Sequence, residues 1–189
     1  MRHLIIYAHP STDSLNHLFK TRIEQHLLKN KHEVLVRDLY KLDFDPVLTE
    51  TERGGKLSSD ILEEQRCLTW AEEITFIYPI WWTGMPAILK GYIDRIFSYG
   101  YAYRYNRKGE QEGLLRGKTA YIVNTQGKSK QEYARIGMDK ALLLTSDKGI
   151  YQYCGLHVKR HFFFAQSNQA TQEIIAEWTT TLQQAYTTK

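Results

Sequence analysis

The chain has 189 residues, enough for one α/β domain with a sizeable core, and its 42% hydrophobic, 24% charged and 13% aromatic residues are ordinary for a globular protein apart from the high aromatic share. A net charge of +4 with no run of five or six like charges argues against nucleic-acid binding. The two cysteines, Cys67 and Cys154, lack a CxxC spacing and support neither a zinc site nor a redox dithiol. Residues 1–7 are too short in apolar length for a signal peptide and no stretch approaches a membrane span, so a cytoplasmic location with reduced thiols is expected.

Residues 3–8 read as a first buried strand, and residues 15–30 as a helix with Leu15, Leu18, Phe19, Ile23 and Leu27 on one face. Residues 32–38 form a second strand, in which Val34 and Val36 alternate with polar neighbours, and a long connection over 39–55 follows. Residues 56–72 are expected to be helical and 73–78 to be the third strand. The strongest helical pattern lies over 86–99, where Met85, Ile88, Leu89, Tyr92, Ile93, Ile96 and Phe97 recur at helical spacing. Pro86 suits its first turn, where a missing N–H costs nothing. Residues 101–117 read as a loop and 119–124 as the fourth strand. Residues 133–153 are mostly helix with a break near Asp147-Lys148-Gly149, 157–165 the fifth strand and 170–186 the closing helix.

Strands alternating with helices predict a parallel sheet covered on both faces, in one domain over 1–189. Such sheets bind ligands at the carboxyl ends of their strands, near the switch in strand order. Three loops are expected there, over 9–16, 79–85 and 124–133.

The first loop, His9-Pro10-Ser11-Thr12-Asp13-Ser14-Leu15-Asn16, opens a helix whose N–H groups and dipole favour an anion. Ser14 and Asn16 are candidates to hold phosphate oxygens and His9 to add an N–H donor, with a plain N-cap at Ser14 or Asp13 as the alternative. The second, Pro79-Ile80-Trp81-Trp82-Thr83-Gly84-Met85, sets two adjacent tryptophans over a helix start. That suits a flat ligand such as an isoalloxazine, with indole beside the ring and backbone N–H groups at its polar edge. Ordinary core packing is the alternative, and adjacent residues on extended chain point opposite ways. In the third, Asn124-Thr125-Gln126-Gly127-Lys128, Thr125 and the N–H groups of Gln126 and Gly127 are placed to face a ring edge where negative charge develops on reduction. A simple turn with Gly127 at positive φ is the alternative.

Other chemistries find no support. No GxGxxG follows the first strand, and Gly113-Leu114-Leu115-Arg116-Gly117-Lys118-Thr119 has one residue too few between its glycines for a P-loop and precedes a strand. The seven histidines form no HExxH or His/Asp/Cys cluster, so no metal is expected. His157 and His161 are expected to share one strand face and to flank the fifth strand. Ser14 lacks a nucleophile-elbow pattern.

Several blocks, taken together, resemble a known family. They are Ile6-Tyr7-Ala8-His9-Pro10, Ser14-Leu15-Asn16, Asp38-Leu39-Tyr40, Phe44-Asp45-Pro46, the run 79–103 with Pro86-Ala87-Ile88-Leu89-Lys90-Gly91 and Asp94-Arg95-Ile96-Phe97, and Tyr153-Cys154-Gly155-Leu156. The chain resembles the flavodoxin-like NAD(P)H quinone oxidoreductases of the DT-diaphorase type. The likeness is strongest to the short bacterial branch that includes general stress protein 14-like oxidoreductases and the ancillary quinone reductases of potassium efflux systems.

The resemblance implies a three-layer sandwich with a five-stranded parallel sheet of order 2-1-3-4-5. It implies a flavin held by His9, Ser14, Leu15 and Asn16, by Pro79, Ile80, Trp81, Trp82 and Thr83, and by Asn124, Thr125, Gln126 and Gly127. FMN is expected, with FAD as the alternative, because longer relatives with a carboxyl-terminal extension tend to hold FAD. Tyr133 corresponds to a catalytic tyrosine, although the histidine paired with it in mammalian members has no counterpart in Gly137-Met138-Asp139. Tyr103 and Tyr105 correspond to aromatics lining the substrate pocket across a homodimer interface. Many relatives carry Thr-Gly-Gly where this chain has Thr125-Gln126-Gly127, and glutamine does not adopt glycine's φ freely. The activity implied is hydride transfer from NAD(P)H through the flavin to quinones or other small aromatic acceptors, in a two-electron ping-pong reaction. The alternative is a flavin-bound regulatory partner of a membrane potassium-efflux transporter, the one route by which a membrane would be involved.

Overall fold

The computed structural model describes residues 1–186, so the last three positions of the expected domain lie outside the described residues. The strands are β1 (Arg2–Tyr7), β2 (Glu33–Asp38), β3 (Glu73–Pro79), β4 (Tyr103–Tyr105), β5 (Gln111–Gly113), β6 (Thr119–Thr125) and β7 (His157–Phe164). The helices are α1 (Leu15–Lys29), α2 (Glu50–Arg53), α3 (Ser59–Trp70), α4 (Ala87–Ile96), α5 (Lys130–Arg135), α6 (Met138–Leu142) and α7 (Gln172–Ala185), with a π-helical stretch, Leu143–Gln152, continuing α6.

The main sheet runs β2-β1-β3-β6-β7, all pairs parallel, which is the order 2-1-3-4-5 among its own strands. The central strands β1 and β3 are apolar along most of their length because both of their faces are covered. The edge strand β2 alternates exposed and half-buried positions, as Val34 and Val36 foretell. One layer packs α3, α4 and the π-helical stretch against Leu4, Ile6, Ile74, Phe76 and Ile122. The other sets α1 and α7 against Ile5, Tyr7, Ile77, Val123 and Phe164.

α4 buries Leu89, Tyr92, Ile93 and Ile96, the predicted stripe. Pro86 stands one position ahead of the helix, where its carbonyl accepts the first helical N–H bonds. Gly91 is fixed by contact: a Cβ there would lie 2.1 Å from the Pro46 carbonyl oxygen. The same helix carries a buried arginine. Arg95 Nη2 lies 2.5 Å from Glu52 Oε1 and 3.2 Å from Asp60, and Arg95 Nη1 donates to the Asp45 carbonyl at 2.6 Å. The guanidinium also covers the Phe44 ring at 5.1 Å. These contacts order the connection over 39–55.

Three expectations are corrected. That connection contains α2, closed by a capping box between Thr49 and Glu52. The expected loop over 101–117 holds the antiparallel hairpin β4–β5, paired Tyr103 to Gly113 and Tyr105 to Gln111. The expected break near Asp147-Lys148-Gly149 does not occur; the wider π turns carry the chain through 143–152. There Thr145 and Ser146 hydroxyls donate to the carbonyls of Ala141 and Leu142 at 2.9 and 2.7 Å.

Candidate flavin-binding rim

The three loops meet at the carboxyl ends of β1, β3 and β6, and each pair is joined. Asn16 Nδ2 donates to Thr125 Oγ1 at 2.8 Å, tying the first loop to the third. Ile80 N–H donates to the Thr125 carbonyl at 2.8 Å, tying the second to the third. The His9 and Trp81 rings lie 5.6 Å apart, joining the first and second.

In the first loop, Ser14 takes the N-cap position of α1: its Oγ accepts from His17 N–H and donates to the Ser11 carbonyl. His9 Nδ1 accepts from Ser11 N–H at 3.0 Å. Burial lowers the His9 pKa, so the ring is neutral at physiological pH and carries its hydrogen on Nε2, a donor at the rim. Leu15 is half-buried and Asn16 is buried. Asn16 Oδ1 is a buried acceptor with no partner in the protein.

Pro79 closes β3 opposite Thr125. Beyond it, Trp81 and Gly84 exchange both backbone hydrogen bonds at 2.9 Å, making a two-residue hairpin. Trp82 and Thr83 sit at its tip with φ of 48° and 59°, the left-handed pair of a type I′ turn that Asn-Gly normally fills. Trp81 is 41% exposed and Trp82 is 100% exposed, so neither indole is ordinary core. Tyr78, Ile80, Met85, Asn124, Ser146 and Ile150 help line a cavity of about 470 Å³ between this loop and the π-helical stretch.

The third loop needs no left-handed backbone. Gln126 and Gly127 both lack positive φ, so glutamine stands there without strain and the alternative turn with Gly127 at positive φ is not formed. Gln126 is pinned to β7 through Gln126 N–H to the Phe164 carbonyl and Ser167 N–H to the Gln126 carbonyl, each at 3.0 Å. Its Oε1 is buried and unpartnered. Asn124 is wholly buried, and its side chain bonds within the sheet rather than at the rim surface. Tyr133, buried in α5, shares a cavity of about 320 Å³ with Gln126, Asp139 and His161.

Tyr103 and Tyr105 are not at this rim. They lie on the β4–β5 hairpin, where Tyr103 meets Tyr153 edge-on at 5.4 Å and the Tyr105 and Tyr153 hydroxyls are 2.9 Å apart.

The sequence reading missed Asp147, and it placed His161 on the wrong side. Between Ala120 and Tyr121 the β6–β7 register shifts, so Val158 pairs with Ala120 but Arg160 with Tyr121. The extra residue at Lys159 reverses the alternation beyond it. His157 therefore faces solvent while His161 turns under Asn124, and the two do not share a face. The one sequence sign was a lone polar ring opening the aromatic run His161-Phe162-Phe163-Phe164.

Among the described residues, no group of three or more His, Cys, Asp or Glu is placed to hold a metal ion, and no helix is long and apolar enough to cross a membrane.

A family model described as a flavodoxin-like fold matches residues 1–185. An uncharacterized NAD(P)H oxidoreductase of Haemophilus influenzae is 41% identical over 161 residues, 82% of this chain and 79% of its own. The NAD(P)H:quinone oxidoreductase from Methanothermobacter marburgensis superposes with a TM-score of 0.83 at 26% identity, covering 98% of this chain and 96% of its own. The general stress protein 14 of Treponema denticola, solved in complex with FMN, shares the fold at 22% identity and a TM-score of 0.65, over 96% of this chain and 99% of its own.

Proposed function

We propose, because this chain belongs to the flavodoxin-like family, that it is a flavin-dependent NAD(P)H oxidoreductase acting on quinone-type acceptors. The observation that carries the reading is the joining of three rim loops, through Asn16–Thr125, Ile80–Thr125 and His9–Trp81, into one cradle. The NAD(P)H and quinone oxidoreductases it resembles support the same donor and acceptor.

The residues fit a flavin. The N-terminus of α1 with Ser14, Leu15 and His9 suits the phosphate. The orphaned acceptor Asn16 Oδ1 calls for a hydrogen-bond donor, which a ribityl hydroxyl supplies. Pro79, Ile80 and Trp81 offer apolar surface for the ring, and Trp82 and Thr83 add backbone N–H groups, since those of Ile80 and Trp81 go to Thr125 and Gly84. Asn124 braces the third loop, where the Thr125 hydroxyl and the Gly127 N–H offer donors for the ring's polar edge and Gln126, its N–H given to the Phe164 carbonyl, holds the loop in place. Tyr133 is the proposed catalytic residue, a hydroxyl donor from α5. FMN is the proposed form, the flavin of the Treponema neighbour.

A bound flavin would supply two-electron redox chemistry, and one site serving NAD(P)H and then the acceptor would give ping-pong kinetics. The chain's part is to hold flat reactants at contact distance and to stabilise negative charge at the rim. A homodimer is proposed in which Tyr103 and Tyr105 of one subunit complete the acceptor pocket of the other.

The test is the absorption spectrum of the purified protein with chromatography of the released cofactor, followed by NAD(P)H oxidation with a quinone. The expected result is a yellow protein that releases FMN and shows parallel double-reciprocal plots. A colourless protein that takes up neither FMN nor FAD overturns the proposal.

A further inference from the structure

We infer that His161, held by Asp147 with hydrogens on both ring nitrogens, is a positioning residue that locks Asn124 and places a positive charge beneath the third rim loop. The inference rests on the flavin reading above and deepens it, by naming the charge that answers the negative charge of a reduced cofactor.

The hydrogen-bond geometry leaves little freedom. Asn124 Nδ2 donates to the Tyr78 carbonyl at 3.0 Å. A carbonyl only accepts, so the amide orientation is fixed and Asn124 Oδ1 is the atom that meets His161 Nε2, at 2.6 Å. Nε2 must therefore carry a hydrogen. The other ring nitrogen, Nδ1, lies 2.8 Å from Asp147 Oδ1. A lone pair on each would repel, so a proton lies between them as well. With Nε2 already protonated, that proton makes the ring an imidazolium and the contact a charge-assisted bond. Ser146 Oγ, whose hydrogen goes to the Leu142 carbonyl, lies 2.9 Å from the same Asp147 oxygen.

The surroundings hold this arrangement in place. The His161 and Asp147 side chains are 5% and 11% exposed. The His161 ring stacks on Phe163 at 3.9 Å and 20°. The titratable groups around the pair come from every neighbouring element. Tyr78 on β3 has its pKa pushed up to about 12 by burial, and burial also raises that of Tyr151 in the π-helical stretch, so both hydroxyls stay neutral. Lys130 and Tyr133 on α5 and Asp139 on α6 border the cavity that His161 lines. His161 thus supplies a buried cation bonded to Asn124, the neighbour of Thr125, and lines a cavity with Tyr133. Asp147 sits on the far side of the ring, so the pair is a dipole with its positive end toward the rim.

Two variants separate charge from packing. In D147N the amide N–H donates to Nδ1, which keeps every hydrogen bond and leaves the ring neutral. H161Q removes the ring and leaves Asp147 without its partner. Nitrogen-15 NMR of histidine-labelled, flavin-free protein at neutral pH is expected to show both His161 ring nitrogens protonated in the natural chain and one protonated in D147N. With FMN bound, D147N is expected to weaken binding of reduced relative to oxidised flavin by about 3- to 10-fold, seen as a more negative midpoint potential, and H161Q by more. A singly protonated His161 in the natural chain overturns the inference, as does an unchanged potential in both variants that hold flavin. Those results leave the flavin reading standing, whereas failure of the natural chain to take up any flavin overturns both.

Discussion

Asn16 and Thr125 are 109 residues apart in the chain, yet the amide of one donates to the hydroxyl of the other at 2.8 Å in the buried rim. This bond joins the first turn of α1, the helix that follows β1, to the end of β6, and β1 and β6 flank β3 in the sheet. It also orients Asn16 so that Oδ1 remains unpartnered. Replacing Thr125 with Val keeps the shape and removes the acceptor, stranding a buried amide. The expected cost is about 1–3 kcal/mol in urea unfolding of the flavin-free protein, with a lower flavin content after purification. Unchanged stability and flavin content would count against the cradle.

The Trp82-Thr83 hairpin tip predicts a trade between stability and binding. Both residues hold left-handed φ, and Thr83 is β-branched. The double change W82N/T83G gives the tip the residues that a type I′ turn prefers. It is expected to stabilise the flavin-free protein by about 1–2 kcal/mol, read from thermal melting. W82A alone, at a fully exposed side chain, is expected to move stability by less than about 0.5 kcal/mol. Both variants should hold flavin or acceptor more weakly, measured by fluorescence titration and by KM.

Acid sensitivity is expected from the Arg95–Glu52 pair. The Arg95 guanidinium holds the Glu52 carboxyl down to about 2, from an ordinary 4.5. A depressed carboxylate stabilises the fold fully above its unfolded value, and the contribution is lost as pH falls through the folded one. Stability should therefore drop between about pH 4.5 and pH 2. R95A strands a buried carboxylate and is expected to cost about 3–5 kcal/mol at neutral pH. The natural chain's acid-limb slope should shrink in this variant, as seen in urea midpoints measured across pH.

Gly91 tests the packing of the long connection. In G91A the new methyl would meet the Pro46 backbone at 2.1 Å, so α4 or the 39–55 segment must move. The expected loss is about 1–3 kcal/mol or more, with faster proteolysis within 39–55. A variant as stable as the natural chain would show that this crossing gives way freely.

The β-α alternation, the amphipathic stripe of α4 and the three rim loops were legible because each rests on local periodicity or on a strand end. The order of the sheet came from the family resemblance rather than from spacing. What stayed hidden depends on contacts distant in sequence. From sequence Ser14 is open to either reading, cap or phosphate ligand, and the structure shows it capping α1. Arg95 looks like a solvated residue on a helix until Glu52 and Asp60 arrive from other elements. The β4–β5 hairpin is short and polar, without an alternating pattern to announce it.

Beyond the irregularity at Lys159 each side chain of β7 takes the face of its β6 partner, Arg160 that of Tyr121 and His161 that of Ile122. Deleting Lys159 would leave those pairs as they are and remove only the bulge, so His161 would keep its place under Asn124 while the strand straightened. At this edge of the sheet one surplus residue is absorbed locally, and the aromatic run returns to step with β6.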